Sequence, residues 1–143
     1  MDDLSHKQLA NHWLVVAKTN LDTAAWVKNT GDFRSAASRA YYSAFSATHA
    51  VVYALGSHPV LRDRVSLPHG KIPGELRWTL RHHLPHTNGA HRNSDLYKDQ
   101  IEDAYSTRIL ADYHPQANIR EEQVDDSLDA ARSIIRLAER IAG

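Results

Sequence analysis

The chain has 143 residues, of which 42% are hydrophobic and 24% are charged, and it has no net charge and no cysteine. Such a composition is typical of one globular domain, and the lack of cysteine excludes disulfides and thiol nucleophiles. The chain starts with polar and acidic residues, and no apolar run approaches the roughly 20 residues of a membrane span. We therefore expect no signal peptide, no membrane association and a cytoplasmic protein.

Apolar residues recur at helical spacing from the start of the chain. The first helix is predicted to run from Leu4 to about Lys28, with Val16 among its inward positions. The second is predicted to begin after an N-cap at Asp32 and to end before Gly56. The inward faces of both helices are rich in alanine. Because small side chains let two helix axes approach closely, a tight hairpin is expected.

The middle of the chain is interrupted by prolines. Residues 57–69 contain Pro59 and Pro68, which indicates a loop. A short helix is predicted from about Pro73 to His83, followed by a second loop that ends at residue 93.

Two longer helices are predicted to complete the chain. Ser94 is the expected N-cap of the first, and Asn118 with Glu121 matches a variant of the capping box at the start of the second. No strand pattern and no repeat occurs. The prediction is one all-α domain spanning residues 1–143, an up-and-down bundle of four long helices plus one short helix.

Charge is unevenly distributed along the chain. Residues 57–93 contain six basic and two acidic residues, a net charge of +4, together with six of the ten histidines. A basic segment in an otherwise acidic chain favours an anionic partner such as RNA, although a solvated loop with incidental charge explains it equally well. The candidate RNA-binding residues are Lys71, Arg77, Arg81 and Arg92.

Metal and nucleotide-loop chemistry is not expected. A carboxylate-bridged metal pair in a bundle needs Glu-x-x-His, and none of the five glutamates has a histidine at that position. Pro85 interrupts the histidine-rich run at 82–86, and no glycine pattern matches a phosphate-binding loop. We therefore predict no metal site and no cofactor.

The stretch TRILADYHPQ, residues 107–116, contains a candidate catalytic pair. RNA has its own nucleophile, the 2′-hydroxyl, so one imidazole to move a proton and one guanidinium to stabilise phosphate charge suffice for its cleavage. Arg108 and His114 supply these groups, and Asp112 lies one helical turn from the arginine. Pro115 predicts that the helix ends near Tyr113 and that the histidine is free to turn back. Six arginine–histidine pairs in the chain have four to six residues between them, so spacing alone does not select one.

Three stretches resemble the HEPN family (higher eukaryotes and prokaryotes nucleotide-binding). They are GDFRSAASRAYYSAFSATHAVVYALG at 31–56, HGKIPGELRWTL at 69–80, and RILADYHPQANIREEQVDDSLDAARSII at 108–135. The first is similar to the family's second helix, the second to its histidine-led short helix, and the third to its Arg-x-x-x-Asp-Tyr element and last helix.

The resemblance implies a helical bundle, commonly dimeric, that works in RNA metabolism, toxin–antitoxin pairs or antiviral defence. Catalytic family members use Arg-x(4–6)-His for metal-independent RNA cleavage, which assigns catalysis here to Arg108 and His114. Asp112, Tyr113, Tyr41 and Tyr42 would support the site. Adjacent helical residues point about 100° apart, so one of the two neighbouring tyrosines is expected in the core and the other in the site or a dimer face.

The resemblance also implies an alternative. Members that lack the histidine are non-catalytic modules that bind nucleotide or partner a small nucleotidyltransferase. In that case Arg108 and Asp112 would form a structural ion pair and His114 would be solvated.

Overall fold

A computed structural model describes residues 5–61 and 66–142, and within these ranges the chain is helical and has no strand. The helices are α1 (His6–Asn29), α2 (Phe33–Ala54), α3 (Ile72–His83), α4 (Gly89–Arg92), α5 (Ser94–Tyr113) and α6 (Glu121–Ala142). A 3-10 turn at His69–Lys71 leads into α3. The predicted all-α bundle, with four long helices, is confirmed. The predicted start of the first helix at Leu4 lies outside the described residues.

Local sequence signals set the ends of the first two helices. Ser5 and Gln8 form a capping box at the start of α1, which the sequence analysis did not identify. The Asp32 side chain accepts from the backbone N–H of Ser35 at 3.1 Å, which confirms it as the N-cap of α2. Gly56 follows α2 with φ of 70°, a left-handed conformation that favours glycine.

Alanines form the contact between α1 and α2. Ala17, Ala40 and Ala44 are fully buried, and the Ser43 hydroxyl donates to the Ala17 carbonyl at 2.7 Å. The predicted tight hairpin is confirmed. Val16, however, was expected to face inward and is 43% exposed, because the buried stripe of α1 passes through its neighbour Ala17.

One predicted loop and one predicted cap in the middle of the chain are wrong. Residues 86–93 are not all loop, because Asn88 caps the short helix α4 through the backbone N–H of Ala90. Ser94 is not an N-cap, since its hydroxyl accepts from the Arg81 side chain at 2.9 Å and is buried.

The capping box expected at Asn118 and Glu121 is also wrong. Helix α6 begins at Glu121, so this residue occupies the first position of the helix rather than the third. The Gln123 side chain instead accepts from the Arg120 backbone N–H at 2.8 Å, which is one half of a capping box displaced by two residues.

Helix α2 lies at the centre of the core, where it packs against α1, α5 and α6. Its buried His49 fixes the loop before α3, because the ring donates through Nδ1 to the Phe45 carbonyl and accepts through Nε2 from the Leu67 N–H, both at 2.8 Å. Burial lowers the pKa of His49 to about 4, so the ring is neutral and able to accept. No helix in the described ranges is both long and apolar enough to cross a membrane.

Candidate functional site

Arg108 lies in the last two turns of α5 with only 9% of its surface exposed. Its Nη2 atom donates to the Tyr42 hydroxyl at 2.9 Å and lies 3.5 Å from the Tyr113 hydroxyl. Its Nε atom lies 2.8 Å from Oδ2 of Asp112, which confirms the predicted ion pair. The Nε–H does not point at that oxygen, so this contact is a charge attraction without an aligned hydrogen bond.

Three tyrosine rings surround the Arg108 guanidinium. Its central carbon lies 5.8, 5.4 and 5.3 Å from the ring centres of Tyr41, Tyr42 and Tyr113. Such contacts are attractive because the face of an aromatic ring is electron-rich. Burial alone would lower the Arg108 pKa, but the two tyrosine hydroxyls and Asp112 raise it above its usual value. The side chain is therefore a permanent cation held in one place.

The two neighbouring tyrosines divide as expected. Tyr41 is 1% exposed and belongs to the core, whereas Tyr42 is half-buried and reaches the surface beside Arg108. This confirms the prediction that one of them is a core residue.

Arg34, at the start of α2, holds the turn that follows α5. Its guanidinium donates to the backbone carbonyls of Leu110, Ala111, His114, Pro115 and Ala117. A cation at the end of a helix is stabilised by the unpaired carbonyls there and by the helix dipole. No local sequence pattern reveals this role, because the donor and its acceptors are 76 to 83 residues apart.

His114 ends α5, as its proline neighbour predicts. Its backbone N–H donates to the Leu110 carbonyl at 3.2 Å, and its exposed ring lies 3.3 Å from the Gln116 amide through Nδ1. No contact among the described residues of one chain joins this imidazole to Arg108. Their cooperation therefore stays a prediction, and it requires a ligand or a second chain to bring them together.

A histidine that the sequence analysis did not select contacts the tyrosine cluster. Nδ1 of His69 lies 2.7 Å from the Tyr41 hydroxyl. Burial raises the pKa of Tyr41, so its hydroxyl keeps its proton and donates it to Nδ1. Burial and the nearby Arg108 lower the pKa of His69, so the ring is neutral and bears its proton on Nε2.

Two grooves meet at this cluster. The first groove, of about 460 Å³, lies between α2 and the end of α5, where Arg34, Ser38 and Asp112 line it. The second groove, of about 360 Å³, lies between α1 and α2, and its lining includes Trp13, Asn20, Phe45, Ser46 and His69. Arg39 and Tyr42 line both, so the two grooves share one wall.

A comparison with known protein families shows to which family this chain belongs. A family model described as HEPN domain matches residues 10–141, nearly the whole chain. The chain belongs to the HEPN family. HEPN domains are ribonuclease-type or nucleotide-binding modules, and the matched region contains both grooves, Arg108 and His114. Neither the curated proteins nor the solved structures include a significant match.

Three of the four described lysines and arginines between 57 and 93 of this HEPN domain have partners within the chain. Nε of Arg77 and Nη2 of Arg81 each lie 2.9 Å from the carboxylate of Asp95, which joins α3 to α5. Arg92 donates to the Thr87 carbonyl at 2.8 Å. Lys71 is exposed at the start of α3. A structural role therefore accounts for much of the charge in this segment.

No group of three histidines or acidic residues within 5–61 and 66–142 of this HEPN chain is arranged to hold a metal ion. Asp112 contacts Arg108 and the Ser38 hydroxyl instead.

Proposed function

We propose that this HEPN protein is a metal-independent endoribonuclease that acts as a toxin or a defence effector. The observation that supports this most is a fixed cation near the end of α5, followed by an exposed imidazole on a turn whose backbone is held in place. Arg108 is held by Tyr42, Tyr113 and Asp112, and the turn that bears His114 is held by Arg34. Preorganised charge of this kind is what stabilises a transition state most effectively.

The reaction needs only groups that RNA and these two side chains supply. The 2′-oxygen bonds to the adjacent phosphorus while the bond from phosphorus to the 5′-oxygen breaks. His114 accepts the proton of the 2′-hydroxyl or donates one to the leaving 5′-oxygen. Arg108 stabilises the negative charge on the equatorial oxygens of the phosphorane. The products are a 2′,3′-cyclic phosphate and a 5′-hydroxyl, and chelators have no effect.

A homodimer is part of the proposal, because Arg108 and His114 make no contact in one chain. Exposed apolar side chains on α5 provide a candidate interface. Leu96, Leu110 and Tyr113 are 55%, 36% and 63% exposed. Leu96 and Leu110 lie about 40° apart around the helix, so they share one face. Arg108 lies about 160° from Leu110 around α5, so the composite site depends on the turn at His114, beyond the end of the helix, reaching the Arg108 of the other chain.

Mixing two inactive variants tests the composite site. In a heterodimer of Arg108→Ala and His114→Ala chains, one site regains both groups and the other loses both. If subunits exchange at random, about half of the dimers are heterodimers, and each heterodimer has one intact site. Mixing therefore restores about a quarter of the wild-type rate. A site formed within one chain gives no recovery on mixing.

The assay measures cleavage of single-stranded and structured RNA in EDTA. His114→Ala is expected to lower the rate by about 10² to 10⁴-fold while folding and RNA binding persist. The matched control is His83→Ala, because His83 is also exposed, belongs to α3 and lies outside both grooves. RNA that stays intact with wild-type protein, after any bound partner is removed, would refute the ribonuclease proposal.

One observation favours a second candidate, a non-catalytic HEPN module that binds nucleotide or partners a small nucleotidyltransferase acting as antitoxin. Two nitrogens of Arg108 already face Tyr42, Tyr113 and Asp112, and the residue is 9% exposed, as in a structural ion pair. This candidate predicts that neither the wild-type protein nor the His114→Ala variant cleaves RNA. It also predicts a stable complex on size-exclusion chromatography with a nucleotidyltransferase encoded by a neighbouring gene.

A further inference from the structure

The second groove has features that the proposed cleavage does not use. Its wall is built from aromatic rings, among them Trp13, Tyr42 and His69, and one guanidinium, that of Arg39, stands at the boundary with the first groove. Aromatic rings next to a cation are the combination that single-stranded nucleic acids bind, since bases stack on the rings and phosphates pair with the charge.

The rings are supported from behind. Trp13 stacks on His49 with ring centres 4.4 Å apart, and His69 stacks on Phe45 at the same distance. Trp13 and His69 are each half-buried, so part of each ring still reaches the groove. A platform that is already ordered loses little conformational entropy when a flat ligand binds to it.

Polar atoms at the edge of the groove have capacity for a base. Since Nδ1 of His69 accepts from Tyr41, the ring's Nε2–H remains as a donor. The Asn20 side chain lines the groove and offers both a donor and an acceptor.

Arg39 is an exposed cation with little to hold it in the chain. Its closest polar contact among the described residues is Oδ1 of Asn20 at 3.4 Å, and no carboxylate there pairs with it. By contrast, Arg77 and Arg81 both contact Asp95. Arg39 is therefore available to a phosphate positioned between the two grooves.

We infer that the second groove binds one unpaired nucleobase, with the phosphate of the same nucleotide on Arg39 and the chain continuing into the first groove. The inference rests on the proposed RNA substrate. The volume of the second groove, about 360 Å³, falls at the lower end of the range for small-ligand pockets. A base inside a duplex is stacked on its neighbours and cannot enter, so the substrate class is single-stranded RNA.

The test uses Trp13 as its own reporter. Trp26 and Trp78 are 70% and 47% exposed, so replacing both with phenylalanine leaves one tryptophan at little structural cost. The probes are adenosine 5′-monophosphate, oligoadenylate and ribose 5-phosphate, with full-length protein that also contains His114→Ala to prevent cleavage. Adenosine 5′-monophosphate and oligoadenylate are expected to quench Trp13 fluorescence, whereas ribose 5-phosphate is not.

Arg39→Ala is expected to weaken oligoadenylate binding by about tenfold, and the exposed Arg136→Ala on α6 is the matched control. An oligonucleotide annealed into a duplex should not quench. If oligoadenylate binds by fluorescence anisotropy but leaves Trp13 unquenched, the base subsite is refuted while the ribonuclease proposal stands. If cleavage fails but quenching occurs, the ribonuclease proposal is refuted and the subsite stands.

Discussion

The guanidinium of Arg34 lies 3.1 Å from the carbonyl oxygen of His114 and joins the start of α2 to the end of α5. The same side chain reaches four further carbonyls of this turn, so the position of the histidine depends on a residue 80 positions earlier in the chain. A change at the start of α2 should therefore act on the chemistry at the end of α5.

Replacing Arg34 with methionine tests this dependence. The variant keeps most of the side-chain volume but leaves carbonyls of the turn unpaired, which should cost about 2–3 kcal/mol of unfolding free energy. Cleavage should lose rate more than substrate affinity, because the imidazole becomes mobile while Arg39 is unchanged. Urea unfolding and single-turnover cleavage measure the two effects, with Arg136→Met as control. Equal losses in rate and affinity would contradict a positioning role.

The Arg108–Asp112 pair should contribute measurably to stability. Asp112→Asn removes the counter-charge but keeps an oxygen for the Ser38 hydroxyl, and should cost about 1–2 kcal/mol. The cost is moderate because 30% of the Asp112 side chain is exposed. Glu139→Gln is the control, since its pair with Lys18 is about half exposed and should be worth under about 1 kcal/mol. Equal losses of unfolding free energy in the two variants, measured by urea unfolding, would contradict this prediction.

Acid should destabilise the fold partly through His49. Its pKa is about 4 in the native state, below the usual value near 6.5, so the unfolded chain binds a proton that the native chain does not. The contribution of the neutral His49 ring to the free energy of unfolding is complete above pH 6.5. It is lost as pH falls towards 4, by up to about 3 kcal/mol. His49→Gln should be less stable at pH 7 and lose less stability on acidification.

The measurement for His49 is urea unfolding at several pH values between 7 and 4. The exposed His83→Gln serves as control and should follow the wild-type curve. Parallel curves for wild type and His49→Gln would show that this histidine does not cause the loss.

Salt dependence of RNA binding should separate Arg39 from the arginines of α3. A lost contact to single-stranded phosphate lowers the slope of log affinity against log salt by about 0.7. Arg39→Ala should produce this change. Arg77→Ala should leave the slope unchanged, because that side chain pairs with Asp95. The opposite result would favour the basic segment at 57–93 as the RNA-binding surface.

Oligomeric state should depend on the exposed face of α5. Leu110→Glu replaces one exposed apolar residue of this face with a charge and should convert a dimer into a monomer of 16.1 kDa. Light scattering measures the mass, and Val15→Glu is the control because Val15 is 64% exposed on α1. Wild-type protein that is a monomer at high concentration would contradict the proposed interface.

Several features that depend on neighbouring residues were predicted correctly from the sequence. The caps at Asp32 and Gly56, the pair one turn apart at Arg108 and Asp112, and the division of Tyr41 from Tyr42 all follow from helical geometry. The prediction from the capping signal at Ser94 was wrong, because the Ser94 hydroxyl accepts a hydrogen bond from the Arg81 side chain of another helix.

Features that depend on tertiary contacts were not predictable. The Tyr41 hydroxyl meets a ring nitrogen 28 residues away at His69, and no local pattern marks that contact. Likewise, a count of charges in residues 57–93 does not reveal that Asp95, just beyond the segment, pairs with two of its arginines.

The Ser43 hydroxyl and the Ala17 carbonyl are 2.7 Å apart, so nothing separates α1 from α2 at that point. The second groove opens along the same seam, since Trp13 belongs to α1 and Tyr42 to α2. The aperture of the groove is therefore set by small residues that do not touch its contents. Exchanging Ala17 for a larger residue would spread the helices and change which ligands fit, with every lining side chain left as it was.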